Sequence, residues 1–241
     1  MCRHAAWLGR PASLQELLID PPHGLVRQSW APRRQRHGTV NADGFGIGWY
    51  AGGAAVRYRR DVPLWAEPGF ASLAPAVRST CVLAAVRSAT AGGPSGAEAC
   101  APFLLPGQVL LSHNGAVPLA AVAPLVSSAA LAAIGSTVDS AFVAALVAQR
   151  LGDGLAAALA GAVAAVTAVA PEARLNLLGT DGTTVAATAW GDTLCWRAAA
   201  GGVVVASEPS DDDTDWIHLP DRSLLVLTPD GCAVTSLSDT P

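Results

Sequence analysis

The stretch DSAFVAALVAQRLGDGLAAALAGAVAAVTAVA, residues 139–170, decides the fold class. Alanine and leucine, both strong helix formers, dominate its two halves. Gly152, Asp153 and Gly154 interrupt it, so it reads as two consecutive helices. The second half, Gly154 to Ala170, comes nearest to membrane length. It is alanine-rich and short of the ~20 residues a span needs, so a helix packed on a sheet is the better reading. Strand patterns lie on both sides of this block. Ahead of it, FGIGWYA (45–51) and AAVRYRR (54–60) flank Gly52-Gly53, a hairpin signal, and CVLAAVR (81–87) and QVLLSHNG (108–115) follow. Behind it come RLNLLGT (174–180), TTVAATAW (183–190), TLCWRAA (193–199), GVVVASE (202–208) and SLLVLTP (223–229).

Strands, then a helical pair, then strands is an α+β order. Most neighbouring strands have no crossover helix between them, so the sheets are expected to be largely antiparallel. The late strands are apolar on both faces, which predicts two sheets face to face with helices outside. Nearer the start, SLQE (13–16) has capping-box form and opens a short helix, LQELLI, before the break at Pro21-Pro22-His23. A polar, proline-containing loop spans 27–44. No repeat or composition break divides the chain, and residues 1–241 read as a single domain.

Composition narrows the function. The chain is 51% hydrophobic, enough for a sizeable core. Its net charge of −4 gives no footprint for nucleic acid. All 15 basic residues are arginine, which reads as codon bias. The five scattered cysteines make no CxxC pair, which argues against a disulfide framework and fits a reducing cytoplasm. No signal-peptide pattern opens the chain. GxSxG, HExxH, GxxxxGK[ST] and GxGxxG are all absent from the sequence. The alternating Gly44, Gly46 and Gly48 are better explained by close backbone packing than by phosphate binding. No cofactor, metal or membrane partner is called for.

Cys2 is the remaining nucleophile candidate. Its small side chain permits removal of Met1, which would leave a thiol and a free α-amine on one residue. Their reference pKa values are ~8.5 and ~8, so the amine can act as base for the thiol. Attack on an amide carbonyl then calls for oxyanion donors and for charged partners. Asn114 and Gly115, at the end of VLLSHNG, offer an amide and a backbone N–H, although Asn-Gly is also a simple turn. Arg87 ends another apolar run and could fork onto a carboxylate or face solvent. Asp139 opens a helix, where it is equally a stabilising cap.

Taken in order, MCRH, DGFGIGWY, RSAT, SHNG and the Asp139-Ser140 pair resemble the class II glutamine amidotransferases of the N-terminal-nucleophile hydrolase superfamily. The resemblance covers the chain to about residue 140. It implies a four-layer αββα sandwich, with the domain running 2–241 after Met1 removal. It implies Cys2 as nucleophile with its own amine as base, and Asn114 and Gly115 as the oxyanion hole. Arg87 and Thr90 would hold the α-carboxylate of a glutamyl group and Asp139 its α-ammonium, with His113 counted among the substrate-binding residues. Many family members carry histidine two places before the arginine, where this chain has Ala85.

Two stretches, LLIDPPHGLVRQSWAPR (17–33) and VVVASEPSDDDTDWIHLP (203–220), further resemble the ergothioneine-pathway γ-glutamyl amidohydrolases. These cleave γ-glutamyl-hercynylcysteine sulfoxide to glutamate and hercynylcysteine sulfoxide. That resemblance implies a small-molecule substrate and no obligatory protein partner. Arg27, Trp30 and Arg33 are expected to form a loop over the Cys2 pocket that reads the leaving group. The acidic run from Asp211 to Asp215 is expected to be a solvated loop rather than a metal site. A glutaminase subunit feeding a separate synthase, and a non-catalytic binding protein, are the competing readings.

Overall fold

The computed structural model describes residues 2–89 and 93–237. Thirteen strands form two sheets: β1 (Arg3–Ser13), β2 (Phe45–Ala51), β3 (Ala54–Arg60), β4 (Arg78–Val86), β5 (Phe103–Leu105), β6 (Val109–Ala116), β7 (Arg174–Thr180), β8 (Val185–Ala189), β9 (Cys195–Ala199), β10 (Gly202–Ala206), β11 (Ile217–His218), β12 (Ser223–Thr228) and β13 (Gly231–Ser236). One sheet runs β11-β9-β10-β1-β4-β2-β3 and the other β13-β12-β8-β7-β6-β5. Every pairing is antiparallel. The helices are α1 (Leu25–Gln28), α2 (Phe70–Ala76), α3 (Leu119–Val122), α4 (Ser128–Ile134), α5 (Asp139–Ala148) and α6 (Leu155–Val169).

The layers follow from which faces are apolar. On β4, Val82, Ala84 and Val86 point outward and pack with Leu25 of α1 and Phe70 of α2. Cys81 and Leu83 alternate with them and point inward against Leu110, Leu178 and Leu225 of the second sheet. The outer face of that sheet is covered by α5 and α6. On α6, Leu155, Ala158, Leu159, Ala162, Val163 and Val166 recur at helical spacing and are buried. The result is the expected αββα order. The hairpin turn at Gly52 and Gly53, with φ of 58° and 81°, requires glycine.

The strand at the centre of the first sheet, β1, escapes a reading by pattern. Gly9 and Pro11 lie within it, and proline is out of place in a central ladder. The structure accommodates Pro11 where the register shifts between Leu8 and Ala12. The helix expected over 14–19 is a single π-helical turn, Gln15–Ile19. The capping box ahead of it forms: Ser13 N–H donates to Glu16 Oε2 (2.6 Å) and Glu16 N–H to Ser13 Oγ (3.1 Å).

The two sheets meet closely. A Cβ on Gly48 would lie 2.6 Å from Leu110 Cδ1, and one on Gly46 would lie 2.1 Å from the Ala101 carbonyl oxygen. Backbone approach is therefore the reason for Gly46 and side-chain packing for Gly48, while Gly44 takes a φ of 126° that favours glycine. Leu110 is fully buried at this contact. Replacing it with alanine is expected to destabilise the fold by about 2–5 kcal/mol, by lost transfer energy plus the cavity left behind. Urea unfolding of Leu110→Ala checks this, and a midpoint equal to that of the parent chain would show that the sheets relax to close the gap.

Candidate active site

Three strand ends converge on one point. Arg3 of β1 pairs with Val86 of β4, so Cys2 and Arg87 stand side by side just past that pair. On β6, residues of even number face the gap between the sheets, which brings Ser112 and Asn114 toward the same place. A cavity of about 250 Å³ opens there, and its wall includes Cys2, Arg87, His113, Gly115, Asp139 and Ser140. Residues separated by more than a hundred positions in sequence are thereby gathered. Burial pushes the Cys2 thiol up, opposed first by the Ser88 backbone N–H and further by Arg87.

Arg87 donates from Nη1 to the Asp43 carbonyl (3.3 Å) and from Nη2 to the Pro94 carbonyl (2.7 Å). Asp43 also accepts from Ala89 N–H through Oδ2 (2.8 Å), so it holds the segment on which Arg87 sits. Asp139 begins α5, where the positive end of the helix favours its carboxylate, and its Oδ1 accepts from Ser140 N–H (2.8 Å). His113 joins β6 to that helix: Nδ1 lies 2.9 Å from Ser140 Oγ and Nε2 2.9 Å from the Arg174 carbonyl oxygen. It is a bridging residue as well as a wall residue. A Cβ on Gly115 would lie 1.9 Å from that same carbonyl oxygen, which explains the glycine. Asn114 is fully buried behind the wall, and neither side-chain polar atom has a partner among the described residues. A buried amide left open is costly, and one aimed at a developing oxyanion is what amide hydrolysis requires. Thr90 lies outside the described residues.

One contributor, His4, was not singled out as a site residue in the sequence. His4 pairs across the strands with Ala85, and its Nδ1 lies 3.1 Å from Ser112 Oγ. Ala85 and Ser112 both line the Cys2 cavity. The side chain missing at Ala85 thus leaves room for an imidazole that arrives from the neighbouring strand. Burial lowers the His4 pKa to about 3, with Arg3 and His113 adding to the effect, so the ring is neutral. Only the strand register could have revealed this.

The loop expected over the Cys2 cavity is placed differently. Trp30 packs edge-on against Trp65 (centroids 5.9 Å apart), and Arg27 lies over its ring at 5.5 Å. Arg27, Trp30 and Arg33 are not among the residues that line the cavity. Arg33 instead meets the acidic run: its Nη1 is 2.5 Å from Asp212 Oδ1. That run is largely exposed, as expected of a solvated loop, and it is also paired. Arg197 forks onto Asp211 (2.9 and 2.7 Å) and reaches Asp213 (3.0 Å), because three neighbouring carboxylates need cations to sit so close together.

This sandwich, with a cysteine at the end of its central strand, has the architecture of an N-terminal-nucleophile glutamine amidotransferase domain. Residues 23–200 match the glutamine amidotransferases of class II, and the chain belongs to that family. It is 52% identical to the γ-glutamyl-hercynylcysteine sulfoxide hydrolase of Mycolicibacterium smegmatis, over 98% of this chain and all of that one. Identity to the hydrolase of the same name from Mycobacterium tuberculosis is 48%, over 98% and 97% of the two chains. Among solved structures, a class-II domain protein from Silicibacter pomeroyi superposes over the full length of both chains with a TM-score of 0.72 at 23% identity. Glutamine phosphoribosylpyrophosphate amidotransferase from Bacillus subtilis gives 0.70 at 18% identity, with half of its own chain covered. No single helix among the described residues is long and apolar enough to cross a membrane.

The neutral His4 makes stability depend on acid. Its folded pKa, about 3, lies below the unfolded value of 6.5, so the unfolded chain binds the proton first. Stability is therefore expected to fall as pH drops from about 6.5 toward 3. Urea midpoints measured across that range should decline, and His4→Asn should flatten the slope, leaving the part due to His113, which burial also depresses. An unchanged slope in His4→Asn would show that His4 is not buried neutral.

Proposed function

We propose that this protein hydrolyses the γ-glutamyl amide of γ-glutamyl-hercynylcysteine sulfoxide, giving glutamate and hercynylcysteine sulfoxide. The observation that carries the reading is the gathering of Cys2, Arg87, Gly115 and Asp139 on one cavity, with Asn114 behind it. The near full-length similarity to hydrolases of that name supports the substrate. The protein works as a single domain without a partner subunit, and its five free thiols fit a reducing cytoplasm.

The chemistry follows from the groups present. With Met1 removed, the α-amine of Cys2 accepts the thiol proton as sulfur bonds to the amide carbon. Negative charge gathers on the carbonyl oxygen, where the Asn114 amide and Gly115 N–H donate. The proton passes to the leaving nitrogen, the C–N bond breaks, and a thioester remains. Water then attacks that thioester, losing its proton to the same amine, and the collapse frees glutamate and restores the thiol. Burial favours the neutral thiol, so a base is needed to take its proton, and the α-amine supplies one. Arg87 pairs with the α-carboxylate of the glutamyl head and Asp139 with its α-ammonium.

Cys2→Ala is expected to abolish turnover and to keep the thermal transition, since the amine alone cannot form a thioester. Activity within tenfold of the parent enzyme would overturn the mechanism. Arg87→Ala and Asp139→Ala should each lower kcat/KM by about tenfold to a hundredfold, the worth of a charge-assisted hydrogen bond of ~1.5–3 kcal/mol. Steady-state kinetics on the sulfoxide substrate and on free glutamine checks both the head-group assignment and the substrate. Efficient glutamine hydrolysis with no preference for the sulfoxide would favour a glutaminase subunit instead.

A further inference from the structure

The gap between the sheets is apolar along most of its length and changes character next to the nucleophile. On β1 the residues that face the gap run Leu8, Ala6, His4, with Cys2 next at the start of the strand; on β6 they run Leu110, Ser112, Asn114. Ala6 and Leu110 pack in one apolar cluster with Leu83, Leu178 and Leu225. One pleat nearer the cavity, His4 and Ser112 meet instead, with Nδ1 and Oγ 3.1 Å apart. Both residues are fully buried, and Ser112 lines the Cys2 cavity. Two residues along a strand span ~6.6 Å. Cys2 on one sheet and Asn114 on the other therefore each stand one pleat beyond this contact.

His4 is held on several sides. Its N–H donates to Ser207 Oγ (3.0 Å), its carbonyl accepts from Ser207 N–H (2.9 Å), and its ring uses the room left at Ala85 on the neighbouring strand. The ring is neutral, so one of its two nitrogens carries a proton. Nε2 is buried and has no partner among the described residues. Buried N–H groups without partners are rarer than buried acceptors without them, which puts the proton on Nδ1 and makes Ser112 Oγ its acceptor. A buried polar pair adds little stability over two apolar side chains of the same shape. Its own contribution is direction. Apolar faces slide over one another, whereas a hydrogen bond weakens steeply outside a narrow range of distance and angle.

We propose that His4 and Ser112 are positioning residues for the hydrolysis: their hydrogen bond ties β1 to β6 and so fixes the sulfur of Cys2 relative to the amide of Asn114. These two groups act on the same carbonyl, sulfur at its carbon and the amide at its oxygen. They stand on different sheets, and the Asn114 side chain has no hydrogen bond of its own to hold it in register. A misplacement of ~1 Å costs on the order of a hundredfold in rate, so the spacing of the sheets at this point bears on the chemical step. Arg87 and Asp139, which take the glutamyl head, sit on other elements, so binding of that head is spared. The inference rests on the hydrolase reading, because it takes the reacting group to be a γ-glutamyl amide attacked by Cys2.

The test compares variants of matched size. Leucine and asparagine have nearly the same shape, and only asparagine can replace the Nδ1 donor. His4→Leu and Ser112→Ala should each lower kcat on the sulfoxide substrate about thirtyfold, with KM within about threefold, while His4→Asn should keep kcat within about threefold of the parent. In the double variant His4→Leu/Ser112→Ala the losses should not multiply, and kcat should again be about thirtyfold down, because the same bond is removed in each case. Thermal melts check that every variant is folded. A second readout needs no turnover: alkylation of Cys2 by a glutamine-like chloroketone, followed by intact mass, should slow in the same variants and recover in His4→Asn. Multiplied losses, equal rates in His4→Leu and His4→Asn, or losses that fall on KM and not on kcat would overturn the tie. A parent enzyme that prefers free glutamine, or turns over neither substrate, would overturn the hydrolase reading, and the alkylation rates would still decide the tie.

Discussion

The pairing of β1 with β4 is the constraint on which the rest of the molecule depends. Arg3 faces Val86 and His4 faces Ala85 in an antiparallel ladder at the centre of a seven-stranded sheet. A ladder fixes side-chain direction as well as position, because alternate residues point to opposite faces. With this register, Cys2 and His4 look into the gap between the sheets, and Arg3 looks the other way. A slip of one residue would turn the Cys2 side chain outward and point Arg3 into the gap in its place.

The second sheet supplies what the first lacks. β6 brings Ser112, Asn114 and Gly115 to the gap, and its pairing with β7 sets Asn114 opposite Asn176. Asn176 is satisfied in full: its amide donates to the carbonyls of Asp192 and Thr193 (both 3.1 Å) and its oxygen accepts from Trp190 N–H (2.9 Å). Asn114, one strand away, has no such partners. Two buried amides of the same type thus have opposite roles. One pins a loop, and the other is open beside the cavity, at the cost of an unmet hydrogen-bonding potential.

Charge is distributed with the same economy. The Cys2 cavity holds Arg87 and Asp139 on separate elements, suited to the two ends of an amino-acid head. The loop after β10 holds more charge, and most of it is paired: Arg33 with Asp212, and Arg197 with Asp211 and Asp213. The Arg33–Asp212 pair is exposed enough to add little stability, whereas the forked Arg197–Asp211 pair is largely buried. Their effect is to fix the loop after β10, which leaves that strand beside the start of β1.

Much of this was legible in the linear chain. The helical block at 139–170, the Gly52-Gly53 hairpin and the run of short apolar strands define an α+β sandwich, because periodicity and turn chemistry are local properties. Cys2, Arg87, Asn114, Gly115 and Asp139 could be proposed because each offers a reactive, charged or hydrogen-bonding group at a strand end or helix start, and because their order resembles a known family. The central strand β1 was not legible, since Gly9 and Pro11 argue locally against a role that its neighbours impose. Nor was the part played by His4, which depends on the small side chain of Ala85 across a ladder. The loop 27–33 carried aromatic and cationic residues suited to ligand binding, yet local composition could not say which way they would point. Tertiary structure turned Trp30 onto Trp65 and delivered Arg33 and Arg34 to Glu208 and the acidic run. Contacts between residues 175 positions apart are decided by sheet order and register, and no local pattern encodes either.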